Sequence, residues 1–230
     1  MYFFLIFIGA ISLSLTFILT TFSFIIRMIG AINNINAKSW NLASAITLFN
    51  SFFIAIALST IAYFVDSRPD LKLIIIIFLL SSFIVLLGHI YMFYKFNQIS
   101  KIIKNITNFY FSKDIVINEI NEKFKNFDFD FFTFLAWVFF MIGFIFPTTL
   151  AIIFNDYRTT LFQLSFVFNS LGTFITIVIT ERKASLLSDK NVLSKNDYVK
   201  IIDYLSIIIF NRIYANVLII LILIIGYLAV

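Results

Sequence analysis

Six stretches of this chain are nearly or wholly free of Asp, Glu, Lys and Arg: residues 2–26, 41–65, 71–94, 131–154, 159–180 and 212–230. Each approaches the ~20 residues a helix needs to cross the hydrocarbon layer of a bilayer. A backbone in lipid must satisfy its own hydrogen bonds, which leaves helices and closed barrels. These runs are too long for the ~10-residue strands of a barrel, so they predict an all-α integral membrane protein with six transmembrane helices. Composition agrees: 61% of the residues are hydrophobic, 13% are charged, and the mean hydropathy is +1.02. A soluble enzyme and a nucleic-acid binder are excluded. The chain has no Cys and one His, which removes disulfides, thiolate chemistry and His-rich metal sites, and no cofactor is expected.

The first run has neither a basic leader nor a small-residue cleavage pattern, so it reads as a retained span. The whole chain, 1–230, reads as one polytopic domain with connecting loops at 27–40, 95–130 and 181–211. Lys and Arg crowd these loops, from Arg27 and Lys38, through Lys95 to Lys125, to Arg182 through Lys200. Only Arg68, Lys72 and Arg158 fall on the other side. The positive-inside rule then places the three basic loops in the cytoplasm and both termini outside.

Within the loop at 95–130, Phe96, Ile99, Ile103, Ile106 and Tyr110 share one helical face, and Ile117, Ile120, Phe124, Phe127 and Phe131 form a second stripe. They predict amphipathic helices on, or hairpinned above, the cytoplasmic leaflet, with lysines near anionic headgroups. Residues 199–210 are apolar apart from Asp203 and Ser206, and read as an interfacial helix or a lengthening of the last span.

No P-loop, dinucleotide turn, helix-spaced acid and His set, or Gly-x-Ser-x-Gly elbow is present, so the sequence offers no nucleotide engine. His89 beside Gly88 reads as a hydrogen-bonded or interfacial histidine with no assigned role. The informative polar residues are those a membrane penalises: Asn50, Gln163 and Asn169 inside spans, and Arg27, Asp156, Arg158, Glu181 and Arg212 at span ends. Intramembrane amides usually bond another helix and end arginines usually snorkel, while the set together outlines a polar seam. Asp156 and Glu181 read as ordinary solvated acids. Gly143 and Pro147 predict a kink in the fourth span, with a gating hinge as the sharper reading.

Leu48-Phe49-Asn50-Ser51 in span two is echoed by Val167-Phe168-Asn169-Ser170 in span five. Three spans separate them, so the two helices cross in opposite directions, as an inverted three-plus-three repeat requires. A chance match in a chain this rich in Phe, Ile and Asn is the alternative.

Arg27-Met28-Ile29-Gly30, followed by Thr47-Leu48-Phe49-Asn50, resembles the opening of the Amj family of alternate lipid II flippases. A longer match takes in Tyr157-Arg158, Thr160, Gln163-Leu164-Ser165, Asn169 and Thr173, then Lys183, Leu186-Leu187 and Asp189-Lys190. The chain departs from that pattern at Phe166 and Ser170, where the family has Gly, and at Glu181-Arg182, where it has Asp-Pro. It also lacks a basic residue between Asn50 and Asp66.

The resemblance implies a flippase of the bacterial inner membrane that moves the undecaprenyl-pyrophosphate-linked peptidoglycan precursor from the cytoplasmic to the outer leaflet. Its partners would be that lipid, membrane lipids, cell-wall synthesis proteins and a second copy of the chain. An arginine fork suits phosphate because it bonds two oxygens at once. On that expectation Arg27 captures the pyrophosphate and Arg158 receives it at the outer face. Asn50, Gln163 and Asn169 line the route, with Lys183 and Arg212 as further substrate-binding residues. Flipping of another polyprenyl-linked sugar, a membrane enzyme acting on a lipid, and a non-catalytic cell-wall assembly subunit stand as alternatives.

Overall fold

The structure is a computed structural model that describes residues 2–33, 35–67, 70–111, 124, 127–188 and 195–230. Its regular elements are helical: α1 (Tyr2–Ile32), α2 (Asn36–Ser67), α3 (Leu71–Tyr94), α4 (Phe96–Phe111), α5 (Phe131–Ile153), α6 (Arg158–Ile175), α7 (Arg182–Ser188) and α8 (Lys195–Ala229). A 3-10 turn, Asn155–Tyr157, precedes α6, and a π-helical turn, Thr176–Glu181, joins α6 to α7. Among the described residues, six helices are long and apolar enough to cross a membrane: α1, α2, α3, α5, α8, and α6 with its π turn. The chain is an all-α membrane protein.

Local chemistry sets the helix starts. The Asp70 side chain accepts from the Lys72 N–H (2.9 Å) and opens α3, and Asp130 accepts from the Thr133 N–H (2.9 Å) and opens α5. Each carboxylate satisfies an N–H that has no partner inside the helix. Along the spans, Ser14, Thr16, Thr20, Thr21, Thr60 and Thr148 turn their hydroxyls back onto the carbonyl four residues earlier. That lets small polar residues lie in a hydrocarbon-buried helix without a stranded donor.

The helices pack in two similar triplets. α1 and α2 form an antiparallel hairpin and α1 also packs on α3; α5 and α6 form a second hairpin and α5 also packs on α8. The two third helices, α3 and α8, then pack on each other. Spans two and five hold equivalent places in this arrangement. The first hairpin is close because residue 30 is Gly: a Cβ there would overlap the Ser39 hydroxyl of α2.

Three sequence boundaries move. α1 runs to Ile32 and α2 starts at Asn36, so the expected 27–40 loop shrinks to a short turn, because Met28, Ile29 and Ala31 are buried. Span six begins well before residue 212: α8 starts at Lys195, and Ile201, Ile202, Leu205, Ile208 and Ile209 are buried along it. Residues 199–210 therefore lengthen the span. The α4 stripe is also displaced from its expected place. Phe96, Ile99 and Ile103 are buried in a protein core shared with α1, α3 and α8 rather than laid on a leaflet. Phe124 of the second stripe stacks on Phe96 at 4.1 Å, Phe127 and Phe131 are exposed, and Ile117 and Ile120 lie outside the described residues. Pro147 is buried inside α5, which runs on past it to Ile153.

The buried apolar residues form two cores. One gathers Phe24, Ile25, Met92, Phe93, Phe96, Leu205 and Ile209; the other gathers Leu13, Phe17, Val85, Trp137, Phe144, Ala215 and Ile219. Along α1, α3 and α8 the buried residues between these cores are polar: Thr21, Ser23, His89, Asn211 and Arg212.

Candidate functional site

The layer between the cores is a hydrogen-bonded cluster around Arg212. This arginine lies near the midpoint of the 33-residue span Asp197–Ala229 and is 5% exposed. Its Nη1 donates to Thr21 Oγ1 (2.5 Å), and its guanidinium carbon sits 4.3 Å from the Trp137 ring centroid. Thr21 Oγ1 is also 2.7 Å from His89 Nε2, and Asn216 Nδ2 is 3.2 Å from His89 Nδ1. A neutral ring protonated on Nε2 meets these contacts: it accepts from Asn216 and donates to Thr21, which sends its own proton to the Phe17 carbonyl (3.1 Å). His89, fully buried, is thus the hydrogen-bonded histidine the sequence predicts, one step behind Arg212.

No carboxylate lies on Arg212 among the described residues. A buried, unpaired charge in a membrane protein is expensive, by several kcal/mol or more, and is kept where it faces a polar cavity or an ion's path. Arg212 does line a cavity, of about 350 Å³, with Arg27, Glu181, Trp40, Thr20, Asn50, Thr173 and Thr176. The walls come from α1, α2, α5, α6, the π turn and α8, so both hairpins contribute.

Arg27 enters this cavity in a different state. Its Nη1 donates to Glu181 Oε1 (2.6 Å), the Trp40 ring centroid is 4.4 Å from its guanidinium carbon, and its Nε is buried with no protein partner. Glu181 closes the π turn, whose Thr180 carbonyl accepts from the Tyr204 hydroxyl (3.0 Å). π turns widen a helix by one residue and recur at functional sites.

Two further cavities continue the first. One of about 180 Å³ shares Thr20, Asn50 and Phe140 with it and adds Trp137, Phe144 and Asn169; the next, of about 360 Å³, shares Ile54, Phe144 and Asn169 and is otherwise walled by Leu58, Ala62, Phe162, Ser165 and Phe166. Together they make a cleft between the two hairpins that grades from two arginines, through amides, to an apolar end. Asn50, 6% exposed, donates to Thr20 (3.2 Å) but leaves its Oδ1 without a protein partner. The Asn169 Oδ1 and the Trp137 Nε1 are unpartnered as well. Gly143 makes room for Asn169, since a Cβ at 143 would stand 2.6 Å from its Oδ1. On its outer side the cleft is flanked by α6, in which only Gly172 is buried.

Of the residues singled out in the sequence, the cleft gathers Arg27, Asn50, Asn169 and Arg212, with Gly143 directly behind Asn169. Three others stand elsewhere. Arg158 pairs with Asp66 (3.3 Å), Gln163 is exposed on α6, and Lys183 pairs with Asp130 (2.7 Å); none lines the three cavities. Arg212 is not a span-end anchor, because the helix carrying it begins 17 residues earlier at Lys195. Glu181 is an arginine partner rather than a solvated acid. Trp40, Trp137 and Thr21 are not singled out by the sequence: Thr21 stands six residues from Arg27, on a different face of the helix, and the two tryptophans fall in no motif.

At the start of α5, partial burial pushes the Asp130 carboxyl up, but the hydrogen bond and charge of Lys183 and the Thr133 N–H outweigh it. Its pKa is held below the usual carboxylate value. No protein family, curated protein or solved structure matches this chain.

Proposed function

We propose that this chain is a lipid flippase that carries the undecaprenyl-pyrophosphate-linked peptidoglycan precursor from the cytoplasmic to the outer leaflet of the bacterial inner membrane. The observation that carries the reading is Arg212: buried, with no carboxylate on it among the described residues, and facing a cavity it shares with Arg27. Two guanidinium groups on one cavity suit two phosphates. The gradation of the cleft toward an apolar end suits a molecule that is charged at one end and hydrocarbon at the other. The sparsely covered α6 side offers the tail a way to stay in lipid while the head is held inside.

Orientation by the positive-inside rule puts the arginine cavity toward the cytoplasm, where the precursor is made. The Arg158 and Asp66 pair then lies at the outer end, as a clasp between the hairpins rather than a phosphate site. An inside-negative potential favours outward movement of a negative headgroup by roughly 2.3 kcal/mol per charge at 100 mV, so no nucleotide engine is required.

Complementation tests the reading. Expressed in a bacterium depleted of its own lipid II flippase, the chain restores growth and lipid II accessible to a membrane-impermeant probe. Arg212→Met reaches the membrane and restores neither. Full rescue by Arg212→Met would sink the proposal.

A further inference from the structure

Three charged groups line the first cavity: Arg27, Arg212 and Glu181. With Glu181 on Arg27, the cavity faces its ligand with one uncompensated positive charge; with Glu181 withdrawn, it faces it with two. The geometry makes withdrawal feasible. Arg27 is held independently by the Trp40 ring at 4.4 Å, so it keeps its place when the carboxylate leaves. Its Nε, buried and without a partner among the described residues, is a second donor already beside the first. Glu181 is the last residue of the π turn, and the fixed points around it lie on its neighbours: Tyr204 on the Thr180 carbonyl, and Lys183 on Asp130. The backbone is anchored on both sides while the Glu181 side chain has Arg27 as its one polar contact among the described residues.

We propose, resting on the anionic-lipid reading above, that Glu181 is an exchangeable internal anion that sets which headgroups the cleft accepts. A single phosphate is met by Arg212 and leaves Glu181 in place. A diphosphate reaches both arginines and displaces Glu181 from Arg27. The acid makes the free cavity less attractive to stray anions, and it reclaims Arg27 when the ligand departs. Glu181 thus competes with the second phosphate for Arg27, lowering the affinity for doubly phosphorylated lipid heads and leaving singly phosphorylated ones nearly unaffected, without touching the tail.

The test uses the full-length purified chain with farnesyl monophosphate and farnesyl diphosphate as probes. The chain has two tryptophans, Trp40 on Arg27 and Trp137 on Arg212. In a Trp137→Phe background, Trp40 emission therefore reports events at Arg27. Affinities are read in chains that keep Trp137: Glu181→Gln binds the diphosphate about tenfold more tightly than the wild-type chain, while the monophosphate moves less than about threefold, as expected for one charge-assisted contact released to the ligand. Trp40 emission in the Trp137→Phe chain shifts with the diphosphate and not with the monophosphate. Adding Arg27→Gln to Glu181→Gln erases the gain, and Glu181→Ser repeats the result if Gln disturbs folding. Equal gains for both probes, no gain, or weaker binding in Glu181→Gln and Glu181→Ser overturn the exchange. If binding is lost in Arg212→Met yet indifferent to Glu181, only the exchange falls. If neither probe binds, or binding survives Arg212→Met, the anion site itself falls and takes the exchange with it.

Discussion

The Arg212 guanidinium stacks 4.3 Å over Trp137 and donates one bond to Thr21, with no acid on it among the described residues. This is an arginine fixed in orientation and left uncompensated in charge. Replacing it by Met keeps the apolar stem against Trp137 and removes the charge. Transport falls by roughly 30-fold or more, from about 2 kcal/mol of lost charge-assisted bonding, while thermal stability holds or rises because a buried charge has been removed. Arg212→Lys recovers little, since an ammonium lacks the fork. Reconstituted transport rates and melting curves of the three proteins check this.

Asn169 and Gly143 are coupled through a distance of 2.6 Å between the Asn169 Oδ1 and the place a Cβ would take. Gly143→Ala must push the carboxamide out of the chamber, and lowers both stability and transport. In an Asn169→Ala background the same change is much milder. A double-mutant cycle should show a coupling of about 1 kcal/mol; additive effects would mean that Gly143 serves the helix rather than the asparagine.

Asp66 and Arg158 join α2 to the start of α6 at 3.3 Å, with Asp66 mostly exposed. A solvated pair of this kind contributes at most about 1 kcal/mol. Arg158→Ala therefore slows transport by no more than about fivefold, and the charge-swapped pair Asp66→Arg with Arg158→Asp restores it. Abolition of transport by Arg158→Ala, with the swap failing to rescue, would return Arg158 to the substrate path.

Much of the fold is legible in the sequence because each span is a long run with almost no charge. Residues 71–94 coincide with α3 and residues 131–154 nearly with α5. The start of α8 is obscured by Asp197, Lys200 and Asp203, which read as loop. The buried sequence Ile201, Leu205, Ile208, Arg212 nevertheless keeps helical spacing, and would have placed Arg212 inside a helix rather than at its end. The two asparagines of the echoed tetrapeptides do meet in one chamber, as a polar seam requires. The Arg27 and Glu181 pair lies beyond such reading: 154 positions separate them, and only the docking of the second hairpin against α1 brings them together.

The Lys183 and Asp130 pair supplies a pH dependence. Asp130 has a folded-state pKa below its unfolded value. Its stabilising contribution is therefore fully present above the ordinary carboxylate pKa near 4 and is lost as pH falls through the folded value. Asp130→Asn should abolish that part of the acid sensitivity and lower stability at neutral pH. Melting temperatures of both proteins between about pH 3 and 7 check this.

The most direct test of the central claim is movement of lipid II itself. Purified chain is reconstituted into liposomes carrying labelled lipid II, and the fraction that an impermeant reagent reaches is followed with time. The wild-type chain should expose lipid II from the inner leaflet, while protein-free vesicles and Arg212→Met vesicles leave it protected. Equal exposure with Arg212→Met, or no exposure by wild-type chain that folds and inserts, would contradict the account.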